Sequence, residues 1–330
     1  MSYKPPYSLT AKAFKLVIAI SEQLGKYQGL QLDKPEPQLR RKNRIRSIHS
    51  SLVIEGNRLS QEQVSDILDG KRVLGPARDI LEVRNAIKAY DSLDKFKAHK
   101  SESLLKAHGL LMQGLAEDAG QLRSGNVGIF KGTKLTHMAP PKHLVKKHIS
   151  DLLSYLNSDE HPLIKSCVFH YEFEFIHPFS DGNGRLGRLW QSLILTEFNP
   201  VFAYLPVESL IKAKQRKYYD VLAHCDKAAD SSSFIEFMLE IILAAIKSLL
   251  QETKSASATC ESRINYARTQ LGKSKFKRQD YLGLFKNIST ATASRDLNWA
   301  LVNKLLRRTG AKNQARYEWI ASSCLRHSSQ

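Results

Sequence analysis

The chain has no run of eighteen apolar residues, which excludes a hydrophobic membrane-spanning helix. Its first residues, MSYKPPYSLT, lack the apolar stretch of a secretory signal. Cysteine is sparse: Cys167, Cys225, Cys260 and Cys324 are far apart and form no CxxC pair. Neither a disulfide framework nor a thiolate metal site is expected, and the four read as reduced thiols of a cytoplasmic protein. Zinc on histidine is excluded too, because His161, His170 and His177 contain no i, i+4 pair and no cysteine joins them at ligand spacing. No glycine-rich stretch runs on into GK[ST], so there is no Walker A loop. Acid is in deficit, with 50 Lys and Arg against 32 Asp and Glu, a net charge of +18.

The rest of the composition is ordinary for a globular protein. Hydrophobic residues make up 42% and charged residues 25% of 330 residues, enough for two or three domains with a sizeable core. Residues 8–30 carry apolar side chains at helical spacing, ending near Gly25. The prolines at 35 and 37 follow, then the basic run RRKNRIR at 40–46, which reads as a solvated face. SLVIEGN at 51–57 reads as the buried last turn of a short helix, with Gly56 as its left-handed stop. That leaves Glu55 at a helix C-terminus, where the macrodipole disfavours negative charge unless a cation meets it. From 59 to 114 helix follows helix, one started by Ser60 with Gln63 in a capping box and another capped by Ser101. His99 and His108 read as surface or packing residues. At 122–141 the period changes, and VGIF and LTHM around KGTK form a hairpin. Two further amphipathic helices lead to residue 176.

The most informative stretch is HPFSDGNGRLGR, 177–188. Gly182 and Gly184 let the backbone turn so that successive N–H groups converge on one point, an anion nest at a helix start. Arg185 and Arg188, three apart, share a helix face, and guanidinium forks match phosphate oxygens. Asp181 is the hard oxygen donor that magnesium takes beside phosphates.

Every fixed position of this stretch resembles the signature of the Fic (filamentation induced by cAMP) family, HxFx(D/E)GNGRxxR. The resemblance implies an all-α Fic core with a β-hairpin flap, and the transfer of AMP from ATP to a Ser, Thr or Tyr hydroxyl of a protein, releasing pyrophosphate. His177 would be the general base, Phe179 the buried loop anchor and Asp181 the magnesium ligand. Gly182, Asn183 and Gly184 would line the anion hole, and Arg185 and Arg188 would hold the outer phosphates. Glycine at 184, where the phosphate-transferring Doc branch carries lysine, places the chain among the AMP-transferases. SLVIEGN resembles the family's inhibitory motif (S/T)xxxE(G/N), with Ser51, Glu55 and Gly56 at the matching places. Glu55 would then pair with Arg188 and keep the enzyme off by default. The hairpin would be the flap that pairs with the target, through Val127, Ile129, Thr136 and His137. Tyr218 and Tyr219 match a YY pair often found beside the nucleotide base, although core packing explains either as well.

Near the C-terminus the composition shifts. ETKSASATC, 252–260, reads as a linker, and residues 254–330 hold fifteen Lys and Arg against four Asp and Glu, so +11 of the chain's +18 lies there. The order helix, turn, helix, hairpin is a winged-helix pattern, with Thr290 or Thr292 capping the candidate recognition helix. Thr290, Thr292, Ser294, Arg295 and Asn298 could reach bases or phosphates. Nucleic acid and protein both remain open as its partner, with protein slightly favoured.

The expected organisation is therefore 1–100 as an N-terminal helical region with an inhibitory helix at about 47–56, 101–252 as the catalytic core and 253–330 as a winged helix. The expected function is an autoinhibited protein adenylyltransferase using ATP and Mg2+, acting on a protein hydroxyl, its own among them, with a homodimer and no membrane among its associations. A DNA-binding regulator whose Fic domain senses nucleotide is one alternative. Removal of AMP at the same site is another.

Overall fold

A computed structural model describes residues 4–29, 35, 37–131, 134–258, 260–272, 275–285, 288–310 and 315–320. Most of them are helical. They fall into two compact units, 1–249 and 250–330.

In the first unit, α1 (Ala11–Gln28) is followed by α2 (Pro37–Ile54), α3 (Gln61–Leu68), α4 (Ala77–Asp91) and α5 (Ser101–Met112). A hairpin of β1 (Gly128–Lys131) and β2 (Lys134–Met138) comes next, then α6 (Lys142–Tyr155), α7 (Pro162–Ile176), α8 (Asn183–Phe198), α9 (Val207–Ala213), α10 (Gln215–Ala228) and α11 (Ser232–Ala258). The strands pair antiparallel, Ile129 opposite His137 and Phe130 opposite Leu135, with a bulge between Ile129 and Phe130. The pair α7–α8 is the centre of this unit. Phe169, Phe173, Leu186, Leu189 and Trp190 on it are fully buried with Leu52 of α2 and Leu104 of α5 in one apolar core. The Trp190 indole N–H donates to the Ala98 carbonyl at 2.9 Å, satisfying the one polar atom this large ring takes inside.

Several starts and stops are read correctly from local sequence. Ser60 caps α3, and Gln63 reaches back to complete the capping box. At the end of α2 the Gly56 N–H reaches the Val53 carbonyl and the Asn57 N–H the Leu52 carbonyl. This is the Schellman closure that Gly56, at φ 92°, permits. Other expectations need correcting. The first helix runs past Gly25 to Gln28, since a lone glycine costs only about 1 kcal/mol inside an otherwise good helix. The basic run 40–46 is not a separate solvated face but the body of α2. Asn43 and Ile45 are buried, while Arg41 and Arg44 pair with Asp69 and Asp91. Ser101 is the first residue of α5 rather than its cap. The expected linker at 252–260 continues α11 as helix to Ala258, because Lys, Ser and Ala offer no breaker.

The second unit holds α12 (Cys260–Leu271), α13 (Arg278–Gly283), α14 (Thr290–Val302) and a hairpin of β3 (Leu306–Thr309) and β4 (Arg316–Trp319). Ile264, Ala267, Phe276, Tyr281, Leu297 and Leu306 form its own core. Arg263 donates to both oxygens of Asp296, at 2.6 and 2.8 Å, and Tyr281 donates to the same carboxylate at 3.0 Å. Ser289, not Thr290 or Thr292, caps α14 by accepting from the Thr292 N–H. Cys324 lies outside the described residues. Among the described residues no helix is long and apolar enough to cross a membrane.

Candidate functional site

The loop 177–182 joins α7 to α8 and is held from several sides. His177 ends α7 with its backbone in the left-handed region, φ 48° and ψ 62°, unusual for a residue with a side chain. Its carbonyl accepts from Arg123 Nε at 2.8 Å. Arg123 is itself buried, and its other nitrogens donate to the carbonyls of Gly125, Pro140 and Ile176. One guanidinium thus ties the backbone of His177 to both feet of the β1–β2 hairpin. Further along, Phe179 is fully buried and stacks on His108 with ring centroids 3.7 Å apart. Asn183 clamps it by accepting from the Phe179 N–H at 3.0 Å and donating to the Phe179 carbonyl at 2.9 Å.

His108 is therefore neither a surface residue nor mere filling. The Gly120 N–H donates to its Nδ1 at 2.8 Å, which leaves the proton on Nε2 to donate to the Asp181 carbonyl at 2.9 Å. Burial lowers its pKa and so favours this neutral form. The next residue, Gly182, sits at φ 83°, and a Cβ there would meet Met112 Sδ at 2.7 Å. Backbone freedom and lack of room both require glycine.

Beyond Gly182 the helix α8 starts with no side-chain cap. The first turn of a helix leaves N–H groups without an intrahelical partner, and the Asn183 side chain is spent on Phe179. Two arginines rise from the same turn, and both are already paired. Arg188 is 2% exposed; its Nη2 donates to Glu55 Oε1 at 2.7 Å and to the Ser51 carbonyl at 2.9 Å, and its Nε to Ser51 Oγ at 3.1 Å. Burial opposes the charge on this group, yet Glu55 together with Tyr218 and Glu174 outweighs it and holds its pKa above the ordinary value. Arg185 is paired with Glu82 of α4 at 3.1 Å and Asp181 at 2.8 Å, while its buried Nε has no partner among the described residues. Arg78, also on α4, reaches the other oxygen of Asp181 at 3.3 Å.

Glu55, Asn57, Arg78, Glu82, Asp181 and Arg185 surround a cavity of about 190 Å3. That is below the roughly 300 Å3 at which small-molecule pockets begin. Among the described residues no cluster of three or more His, Cys, Asp or Glu could hold a metal by itself. Asp181 is 46% exposed at the cavity edge and could hold a metal only together with oxygens of a ligand or water.

Of the residues singled out from sequence, the structure brings Ser51, Glu55, Gly56, Asp181 and the 182–188 turn together. Tyr218 and Tyr219 separate. Tyr218 is 1% exposed, hydrogen-bonded to His170 Nε2 at 3.1 Å and packed on Phe234 and Phe237, so it belongs to the core. Tyr219 is 41% exposed. Of the flap residues, the backbones of Ile129, Thr136 and His137 lie in the strands and Val127 just before them, where its carbonyl accepts from the Ala139 N–H. Four residues at the site escape sequence reading: Arg78, Glu82, Arg123 and His108. The only local signal is the density of charge at the start of the long amphipathic helix, in ARDILEVR.

Residues 98–195 match the model of the Fic/DOC family. A protein adenylyltransferase, fic-1, of Caenorhabditis briggsae is 27% identical over 261 residues, 74% of this chain and 48% of that protein. A probable protein adenylyltransferase, aq_aa38, of Aquifex aeolicus is 34% identical over 154 residues, 44% of this chain and 46% of that one. The chain spans about half the length of the curated relatives it matches. A crystal structure of a Fic family protein from Desulfovibrio desulfuricans G20 is 43% identical, covers 98% of this chain and 100% of its own, and superposes with a TM-score of 0.73. The C. elegans Fic-1 fragment 134–508, 20% identical over 74% of this chain and 73% of its own, shares the fold with a TM-score of 0.60.

Proposed function

The chain belongs to the Fic family, and on that premise we propose that it is a protein adenylyltransferase held off by Glu55. ATP would bind with its phosphates at the α8 N-terminus, and Arg185 and Arg188 would take the outer phosphate oxygens. His177 would accept the proton of the target hydroxyl as its oxygen bonds to the α-phosphorus and the bond to the pyrophosphate oxygen breaks. Imidazole is the side chain most often used for such a proton transfer at neutral pH. Magnesium, held by Asp181 and phosphate oxygens, would supply charge neutralisation at the phosphates. The β1–β2 hairpin would present its edge to an extended target segment, and Arg123 would keep that edge in register with His177. Tyr219 is the aromatic of the pair left open to a base.

The observation that carries the inhibited state is the contact of Arg188 with Glu55 and Ser51. An arginine committed to a carboxylate at 2.7 Å is not available to a phosphate. A charge-assisted hydrogen bond of about 1.5–3 kcal/mol separates the two states, so its loss should raise activity roughly ten- to hundredfold. The small size of the cavity supports the same reading.

The test is self-labelling with α-labelled ATP and magnesium, alongside labelling of a lysate as a source of foreign targets. Glu55→Gly should label strongly, wild type weakly, and Glu55→Gly with His177→Ala not at all. Label that survives the loss of His177 would overturn the assigned chemistry.

A further inference from the structure

The second unit carries a groove that the transfer reaction does not use. It has a volume of about 580 Å3 and lies between the start of α13, one side of α14 and the β3–β4 hairpin. Lys277 and Arg278 line it from α13, Ser294 and Asn298 from α14, and Arg308 and Tyr317 from the hairpin. The three cations come from two elements, the start of α13 and the hairpin, and no acidic side chain lines it among the described residues. The five acids of the unit, Glu252 of α11 among them, do not line it. Asp296 is buried against Arg263, and Asp280 caps α13 by accepting from the Lys277 N–H. Glu318 stands opposite Arg307, which alternation puts on the hairpin face away from Arg308, and Glu261 begins α12. Arg278 is steered across the groove by a 3.0 Å hydrogen bond to Ser294 Oγ.

The outward face of α14 is unusual for a surface helix. Its inner face, Ala293, Asp296, Leu297 and Ala300, is buried, while Thr290, Arg295 and Asn298 are exposed. Short uncharged hydrogen-bonding side chains dominate where Glu and Lys would ordinarily stand. That is the chemistry that meets base edges, with cations on either side for phosphates.

We propose that this unit binds duplex DNA, with the groove cations on the phosphodiester backbone and the Thr290–Asn298 face turned to the major groove. A protein partner is the weaker fit, because the core of a protein interface is depleted in charge and rich in aromatics. Here Val302 is the one large apolar side chain widely exposed among the described residues of the unit. Single strands need aromatic platforms for stacking, but Phe276, Tyr281 and Tyr317 are buried. An A-form RNA duplex has a major groove too deep and narrow for a helix.

The proposal stands apart from the transferase reading and is tested on the full chain by fluorescence anisotropy. The probe is a labelled mixed-sequence DNA duplex of about 24 base pairs, a length that exceeds the span of α14 severalfold. Wild type should bind at 50 mM salt and weaken steeply as salt rises. Lys277→Gln with Arg278→Gln and Arg308→Gln should cost at least about tenfold in affinity and lower the salt slope by about 2.7, three phosphate contacts at 0.9 each. Removing the same charge from the first unit, with Lys106→Gln, Lys142→Gln and Lys146→Gln, should leave binding within about twofold, since these lysines do not line the groove assigned to the phosphates. No binding at 50 mM salt, equal losses in both triple variants, or preference for single-stranded DNA or duplex RNA would each overturn the proposal. All six positions are exposed, so both triple variants fold.

Discussion

Gly184 gives the most direct test of the inhibited state, because it acts on Glu55 without altering it. A Cβ built at 184 would lie 2.4 Å from Glu55 Oε1 and 3.1 Å from an Arg188 nitrogen. Ordinary contact begins near 3.4 Å, so the carboxylate must retreat by about 1 Å. The Arg188–Glu55 contact at 2.7 Å has no such slack, and a retreat of that size ends it as a hydrogen bond. Unlike Gly182, Gly184 lies inside α8 with no positive φ, so the backbone accepts alanine and gains up to about 1 kcal/mol of helix propensity. Gly184→Ala should therefore be stable and activated, by about tenfold if Glu55 loses one charged hydrogen bond of about 1.5 kcal/mol. Self-labelling rates at saturating ATP measure this.

The double variant with Glu55→Gly separates relief from damage. If the methyl group acts only by displacing Glu55, the double variant labels at the rate of Glu55→Gly alone, and the coupling between the two changes equals the whole effect of Gly184→Ala. If Gly184→Ala lowers labelling, and lowers it again in the Glu55→Gly background, the added carbon is obstructing the phosphates. That result would refute the argument from the 2.4 Å approach.

Three further outcomes follow from buried charge. Arg123→Lys replaces a planar fork that reaches carbonyls at 125, 140, 176 and 177 with one ammonium. In the Glu55→Gly background it should cut kcat by about tenfold or more while leaving KM for ATP within about twofold, and a change confined to KM would argue against a positioning role. Asp296→Asn leaves Arg263 buried without its counter-charge and should destabilise the second unit by about 3–5 kcal/mol. Urea unfolding followed by tryptophan fluorescence, which sees Trp299 and Trp319 there, should show an early transition that wild type lacks. Finally, His170 is fully buried between Gln191 and Tyr218, and burial takes its pKa down to about 3 from 6.5. The unfolded chain binds this proton first as pH falls, so the associated stability is complete above about pH 6.5 and is lost progressively below it. His170 alone should account for about 1.4 kcal/mol between pH 7.5 and 5.5, and the loss should shrink by that amount in His170→Gln.

Local rules account for what was legible before the structure. A serine with glutamine three residues on starts α3, a glycine closes α2, and alternation around KGTK marks a hairpin. Each is decided within a few residues. So is the turn at 181–188, whose acid, glycines and arginines are adjacent in the chain. The failures are of two kinds. Boundaries slipped where no residue opposes continuation, as in α11 beyond residue 252. The structural part of Arg123 and His108 was hidden because it depends on which distant carbonyls surround a side chain, and neither period nor propensity encodes that. Tyr218 and Tyr219 are instructive, since adjacent residues of one type on a helix point about 100° apart, and packing alone chooses which is buried.

The charges missed on α4 change how the proposed inhibited state would work. Glu55 is not the only acid that meets the arginines of the signature. Glu82 holds Arg185, and Arg78 sits on Asp181, so each charged group offered to a nucleotide already has a protein partner. The arginines are buried and would be costly to leave unpaired, which explains why acids stand there at all. The two pairings differ in strength of commitment. Arg188 is almost wholly enclosed and adds two bonds to Ser51, whereas Arg78 is 59% exposed and can swing into solvent at little cost. On the proposed reading, phosphate would compete with Glu82 for Arg185 and with Glu55 and Ser51 for Arg188. Glu55 and Glu82 would then each have to yield an arginine before a nucleotide could engage both.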